Sequence, residues 1–290
     1  MISRSDLLFV CLKLKSRIFC ILPRSLSLII GKGIGLLLYY FVPLRKRVAI
    51  TNIGIALPQK TPNEIQSTLK KCYIHFGMLI SDFLRLPRLN EKNISDIIYF
   101  DSTTKKLLKE NTPSIIMTGH FGNWEMFLPV LGYNGFNITG VAQIQKNKAG
   151  EKFFNWLRNC KNSTIIAKKN PIKEINQILN KGTHLLLVSD QNAGNRGTIN
   201  NFFGMPTSTP KGAAILNTKK NIPIIMVFIM MNPDYSYSIY SKELITQSSS
   251  KTQRITDINQ TYNNELEKII TKYPEQYFWF HKKWDKKNYK

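Results

Sequence analysis

Apolar positions form two kinds of run in this chain, one suited to a membrane surface and one to a buried sheet. Over residues 7–22 the apolar side chains are interrupted by Lys13, Lys15 and Arg17, which predicts an amphipathic helix lying on a bilayer rather than crossing it. Residues 26–44 differ: Lys32 is the only charge in nineteen positions, Pro43 closes the run, and Arg45, Lys46 and Arg47 follow at once. That is near spanning length. A lysine at the bilayer centre costs ~3 kcal/mol, so a shallow interfacial helix stands beside a spanning one as a reading. In either case the basic cluster places the following domain on the cytoplasmic side. A cleaved signal segment needs small residues where Pro43 and the basic run stand, so the stretch reads as an uncleaved anchor. Gly31, Gly33 and Gly35 lack the preceding strand of a nucleotide loop and predict close helix packing.

Thr61, Pro62 and Glu64 then open a helix that runs to about Leu84, Thr61 as cap and Pro62 in the first position. Arg85, Leu86, Pro87 and Arg88 break its pattern, and the main domain begins near Asn93. From there short apolar runs alternate with helical periodicity. Strands are expected over residues 114–118, 137–142, 164–167, 183–189 and 222–231, and helices over 149–159 and from Asn170 and Pro171 onward. The alternation predicts an α/β fold, a largely parallel or mixed sheet covered by helices, with membrane-associated helices at the N-terminus. The run 222–231 is the most apolar and reads as a central strand. The expected organisation is an anchor at 1–47, a helical segment at 48–92 packed on the membrane or the main domain, and the main domain at 93–290.

The strand at 114–118 runs into Gly119, His120, Phe121, Gly122, Asn123, Trp124 and Glu125. Two glycines let the backbone turn tightly, and Asn123 can cap a helix whose first turn holds Trp124 and Glu125. An imidazole beside a carboxylate has its tautomer fixed and its basicity raised, which suits it to take a proton from a hydroxyl. If the hydroxyl belongs to a substrate, this is an arrangement for acyl transfer. The His and Glu spacing alone fits a core histidine near a helix-capping carboxylate better. What favours chemistry is the strand end, because open α/β sheets carry their sites there. Residues 183–189 end on Asp190, Gln191 and Asn192, which this topology delivers to the same edge. The connection 190–212 holds Arg196, Phe202, Phe203, Gly204 and Pro206, and leads to a helix expected to be capped by Thr209 with Pro210 first. Arg196 and Lys211 near that start suit an anion.

Composition narrows this less than the pattern does. With 290 residues and 43% hydrophobic content, one large α/β domain with an appendage is expected and a disordered chain is excluded. The net charge of +23 predicts attraction to nucleic acid, an anionic membrane face or phosphorylated substrates, although part of it stands on lysines of solvated, Asn- and Ile-rich stretches. Cys11, Cys20, Cys72 and Cys160 are scattered, and His75, His184 and His281 lie far apart in sequence, so neither a disulfide framework nor a metal site is indicated.

The segment from Gly119 to Glu125 resembles the His, four residues, acid box of the glycerolipid acyltransferase superfamily, and in this form that of the late lipid A acyltransferases, which use Glu. Asp190, Phe202, Phe203, Pro206 and Thr209 match a second region of that family. The closing stretch Tyr277, Phe278, Trp279, Phe280, His281, Lys282 and Lys283 is similar to its third, with Lys where Arg is common, which turns a bidentate contact into point-charge attraction. Arg158 stands where the family carries a substrate-facing arginine, whereas a Tyr-Arg-Pro element before it is Gln143, Ile144 and Gln145 here. The resemblance runs from the anchor to the last strand, in the family's order.

What the resemblance implies is an O-acyltransferase of lipopolysaccharide biosynthesis at the bacterial inner membrane. It would move a fatty acyl chain from acyl carrier protein, as thioester co-substrate, to a hydroxyl of a phosphorylated lipid A precursor. His120 would be the general base and Glu125 its orienting acid, with Asn123, Arg158, Asp190, Arg196, Phe203, Lys211, Lys282 and Lys283 binding substrate. No cofactor or metal is expected, the oxyanion being held by backbone N–H groups at the Asn123 helix start. The acyl chain is expected in an apolar channel lined from the 222–231 strand, the Phe202 loop and the helix after Asn123. Acylation of another glycerolipid or sugar lipid is the alternative within the class. A basic, membrane-anchored nucleic-acid-binding protein is the distant one, since no helix-turn-helix or RNP-type element occurs.

Overall fold

A computed structural model describes residues 3–42, 44–168, 172–248 and 250–289. Pro43 and the helix start expected at Asn170 and Pro171 lie outside the described residues. The chain opens with four helices, α1 (Arg4–Ile21), α2 (Arg24–Phe41), α3 (Lys46–Ala56) and α4 (Pro62–Leu84). The start of α4 is fixed by a capping box: Thr61 Oγ1 accepts the Glu64 N–H, and Glu64 Oε2 accepts the Thr61 N–H at 2.8 Å.

The main domain follows in the order β1 (Ile98–Tyr99), α5 (Ser102–Glu110), β2 (Ile115–Thr118), α6 (Phe127–Tyr133), β3 (Ile138–Ala142), α7 (Lys148–Leu157), β4 (Ser163–Ala167) and α8 (Ile172–Asn180). It continues through β5 (His184–Val188), β6 (Gly197–Phe202), β7 (Met205–Pro210), α9 (Gly212–Lys220), β8 (Ile224–Met231), β9 (Tyr237–Glu243) and α10 (Lys251–Lys272). Seven strands form a mixed sheet in the order β1, β9, β8, β2, β5, β3, β4. Only the β8 and β9 pair is antiparallel.

The sheet is covered on both sides, and its interior strands are apolar on both faces for that reason. Ile115, Met117, Ile224, Met226 and Phe228 point into one buried cluster, with Phe202, Tyr262 and Trp279. Ile116, Ile225, Val227 and Ile229, one residue out of phase, point into the other, with Met126 and Phe127. The strand expected at 222–231 is therefore interior. The acyl channel expected between the Phe202 loop and the helix after Asn123 is not what this packing gives. Phe202 and Phe203 lie on one side of the sheet and Met126 and Phe127 on the other.

The 190–212 connection also differs from its sequence reading. It folds into an antiparallel hairpin of β6 and β7, with Thr209 opposite Thr198 and Pro210 opposite Gly197. Helix α9 begins at Gly212 with Lys211 as its N-cap residue, not after Thr209. The Thr207, Ser208, Thr209 run suits a strand, and Thr209 shares a hydrogen bond with Asn263 of α10.

The N-terminal helices belong to this architecture. Gly31 and Gly35 of α2 meet α4 at Gly77 and Tyr73 so closely that a Cβ on either would collide with a backbone carbonyl, the close packing expected of them, whereas Gly33, given the same reading, faces open space. Ala49 and Ile53 of α3 and Leu69, Cys72 and Tyr73 of α4 enter the sheet's first cluster. On the outer side Leu7, Leu14, Ile18 and Ile21 of α1, and Leu26, Ile29, Leu37 and Phe41 of α2, are exposed. Among the described residues no single helix is long and apolar enough to cross a membrane. Helices α2 and α3 meet that test together but are bent by 97° where they join.

Candidate active site

Strands β2 and β5 are parallel neighbours with Thr118 opposite Val188. The ladder continues as the Ser189 N–H donates to the Thr118 carbonyl at 2.8 Å. Two residues past the pair on each strand, His120 comes to lie against Asp190, with Nδ1 2.7 Å from Oδ1. The turn between needs its glycines. Gly122 has φ +55°, and a Cβ there would collide with the Ile229 carbonyl; a Cβ on Gly119 would lie 3.0 Å from the Tyr262 hydroxyl.

The closing aromatic segment seats this corner. The His120 carbonyl accepts the Phe278 N–H at 2.9 Å, and the imidazole packs against the rings of Trp124 and Phe278, 5.0 and 5.9 Å away between centroids, which also touch each other at 6.2 Å. Under Asp190, Lys283 is 2% exposed and donates from Nζ to the Asp190 carbonyl at 2.5 Å. Its ammonium also sits 4.5 Å from the centre of the Phe202 ring. Burial pushes the Lys283 pKa down to about 8, only partly offset by Asp190 and Glu267.

Burial disfavours the imidazolium of His120, but the charge and hydrogen bond of Asp190, with the charge of Glu125 adding, more than offset it and hold the pKa above 6.5. Burial likewise disfavours the Asp190 carboxylate, and His120 and Lys283 overcome it, so that its pKa lies below 3.8. Both directions belong to one ion-paired couple.

Glu125 does not make the hydrogen bond to His120 that the sequence reading gave it. Its two oxygens accept from Arg158 Nε and Nη2 at 2.8 and 2.7 Å, and Arg158 in turn stacks over Phe154 at 5.0 Å. The physical reason lies in reach and topology. The short 3₁₀ turn Trp124–Met126 carries Glu125 toward the end of α7, where a guanidinium offers the bidentate geometry a carboxylate prefers, while β5 already supplies His120 with an acid. Asn123 does not cap that turn through its side chain. It is buried and donates to the Tyr237 hydroxyl at 2.8 Å, which donates to Asp82, itself bound twice by Arg24. The backbone N–H groups of Gly122 and Asn123 are committed to the carbonyls of Gln276 and Ile229, so neither is available to an oxyanion.

The remaining expected binding residues are dispersed. Arg196 is exposed on a 3₁₀ turn before β6. Lys211 is half-buried at the start of α9. Phe203, at φ +50°, forms the hairpin tip and packs near Trp279. Lys282 is exposed with its ammonium over the Tyr289 ring. Lys283 is buried structure beneath Asp190 rather than an exposed point charge. Sequence reasoning missed the Arg24, Asp82, Tyr237 and Asn123 chain, and no spacing signal connects those four positions.

A buried carboxylate that fixes an imidazole by one nitrogen, while the other makes no hydrogen bond among the described residues, is equipped to deprotonate a hydroxyl. Fold and site together define an α/β protein with a buried imidazole–carboxylate pair at the carboxyl edge of its mixed sheet. Residues 10–286 match the family model described as bacterial lipid A biosynthesis acyltransferase, and the chain belongs to that family. It is similar to the lipid A biosynthesis palmitoleoyltransferase of Escherichia coli (strain K12), 22% identical over 276 residues that cover 90% of this chain and 86% of that protein. It is equally similar, over the same shares, to the lipid A biosynthesis acyltransferase of Shigella flexneri.

Proposed function

We propose that the protein transfers a fatty acyl chain from an acyl carrier protein thioester to a hydroxyl of a phosphorylated lipid A precursor, with His120 as general base and Asp190 as its positioning residue. The observation that carries this is the 2.7 Å contact of His120 Nδ1 with a carboxylate that is 2% exposed. Asp190 accepts a hydrogen bond from Nδ1–H, which keeps the proton on Nδ1 and leaves Nε2 as the base. The acceptor O–H gives its proton to Nε2 as the oxygen forms a bond to the thioester carbon. The tetrahedral intermediate then collapses with cleavage of the C–S bond, and the leaving sulfur takes the proton back from the imidazolium. Asp190 stabilises that imidazolium directly, and Glu125 does so through its charge while it holds Arg158 toward the substrate.

The exposed apolar sides of α1 and α2 are proposed to rest in the inner membrane, with the basic run Arg45, Lys46 and Arg47 on the cytoplasmic side. The site then faces the compartment of the acyl carrier protein. Mass spectrometry of lipid A from cells with and without the protein tests the acceptor. Loss of one acyl chain on removal is expected, and unchanged lipid A with an altered glycerolipid or sugar lipid would move the acceptor elsewhere.

A pH profile tests the base. Because the His120 pKa is raised, the imidazolium persists to higher pH and the acid limb of kcat/KM is expected above 6.5. Asp190→Asn removes the charge that raises it and is expected to move the limb to lower pH. A limb that stays in place in that variant would mean that another group titrates.

A further inference from the structure

A cleft of about 150 Å³ is lined by Arg24, Arg85, Arg88, Asp82, Asp96 and Met126, together with neighbouring residues, and the acyl-transfer chemistry makes no use of it. Each of its three guanidiniums is anchored by part of its fork. Arg24 binds Asp82 through Nε and Nη2 and the Tyr235 carbonyl through Nη2. Arg85 is 7% exposed, and its Nη1 donates to the carbonyls of Phe19 and Leu22 and to Ser27 Oγ. Arg88 Nη1 donates to the Cys20 carbonyl at 2.7 Å. The remaining N–H groups, Nη1 of Arg24 and Nε and Nη2 of Arg85 and Arg88, have no partner among the described residues.

Three cations with unsatisfied donors against two carboxylates form a concave site of net positive charge, an arrangement that suits a tetrahedral oxyanion. Asp82 is already committed to Arg24 and to the Tyr237 hydroxyl, which leaves Asp96 as the lining carboxylate that opposes an anion. Burial disfavours the charge of Arg85 and Asp82 offsets only part of that, so its pKa is lowered, with repulsion from Arg88 and Arg24 acting in the same direction as burial. An anion in the cleft relieves that cost. The carbonyls that anchor Arg85 and Arg88 belong to Phe19, Cys20 and Leu22 at the joint of α1 and α2, and Ile18 and Ile21 beside them are exposed apolar side chains. A polar anion site therefore adjoins an apolar surface.

We propose that this cleft binds the phosphate group of a phosphorylated amphiphile through the free N–H groups of Arg24, Arg85 and Arg88, with the amphiphile's apolar part along the exposed side of α1. The ligand class rests on the acyl-transfer reading, whose acceptor is itself a phosphorylated amphiphile, but the cleft is tested by binding alone, so failure of one leaves the other standing.

The test uses the full chain in an uncharged detergent, titrated calorimetrically with dihexanoyl phosphatidic acid, with dihexanoylglycerol and with inorganic phosphate. Phosphatidic acid is expected to bind, the phosphate-free lipid not to, and inorganic phosphate to bind more weakly. Arg88→Ala, at an exposed position with a single hydrogen bond, is expected to weaken phosphatidic acid about tenfold through loss of charge-assisted bonds. Asp96→Asn removes the opposing charge and is expected to tighten it several-fold. Opposite signs in two exposed variants are not what a general loss of structure produces. Equal binding of dihexanoylglycerol, or variants that leave affinity unchanged or weaken it alike, would overturn the site. Inorganic phosphate binding as tightly as the lipid would overturn the amphiphile as its ligand.

Discussion

Asp190→Asn is expected to lower kcat by about 10²- to 10⁴-fold, close to the loss on His120→Ala and well beyond that on Glu125→Gln. Removing the imidazole deletes the proposed base, and no neighbouring side chain in the turn replaces it. Asn at position 190 keeps the size and a hydrogen bond, but it neither stabilises an imidazolium nor enforces the tautomer that leaves Nε2 free. The fold should tolerate it, because Lys283 donates to the backbone carbonyl of residue 190 and not to its carboxylate. Glu125→Gln leaves one of the two bonds to Arg158 and removes a charge that acts on His120 only through space. Its effect should be smaller. Steady-state kinetics with acyl carrier protein thioester and lipid acceptor, on variants shown to be folded by thermal unfolding, give the ranking. If Glu125→Gln proved the more damaging, Glu125 would regain the orienting role its sequence position suggests and Asp190 would become a support for the turn.

That ranking inverts the pairing expected from sequence, and the reason is instructive. The strands at 114–118 and 183–189 were both legible as short apolar runs that end in polar residues, and the alternation of strand and helix was enough for a parallel sheet. It was also visible that Asp190 and His120 would share an edge. What one-dimensional spacing cannot express is register. The contact depends on Thr118 lying opposite Val188, which β-strand neighbours far away in the chain decide. Only four residues separate His120 from Glu125, so the nearer acid looked like the partner.

Terminal signals failed where tertiary contacts overrode them. Thr209 and Pro210 carry a helix-start signature, yet the run they close pairs with β6 and bonds to α10. The Lys283 ammonium looked like a surface charge until the aromatic segment buried it. By contrast Thr61, Pro62 and Glu64 kept their reading, because a capping box is complete within four residues.

Arg24→Ala is expected to destabilise the protein by about 3–5 kcal/mol. The cation is 19% exposed at its side chain and the carboxylate of Asp82 only 4%. Without Arg24 that carboxylate is left, among the described residues, with the Tyr237 hydroxyl as its sole side-chain donor. If the cost is the unpaired charge rather than the lost contact, Asp82→Asn in the same chain should restore part of the stability, since an amide still accepts from Tyr237 without needing a cation. Thermal unfolding in detergent of the two single variants and the double variant measures this coupling. Additive losses would instead mark the pair as ordinary packing. The same reasoning sets the outcome of deleting residues 1–47. An anchor attached only by sequence would leave an active remainder, whereas this deletion removes Arg24, Gly31 and Gly35 and uncovers the Gly77 face of α4. The truncated chain is expected to lose its cooperative transition, and a folded, active remainder would show α1 and α2 to be detachable.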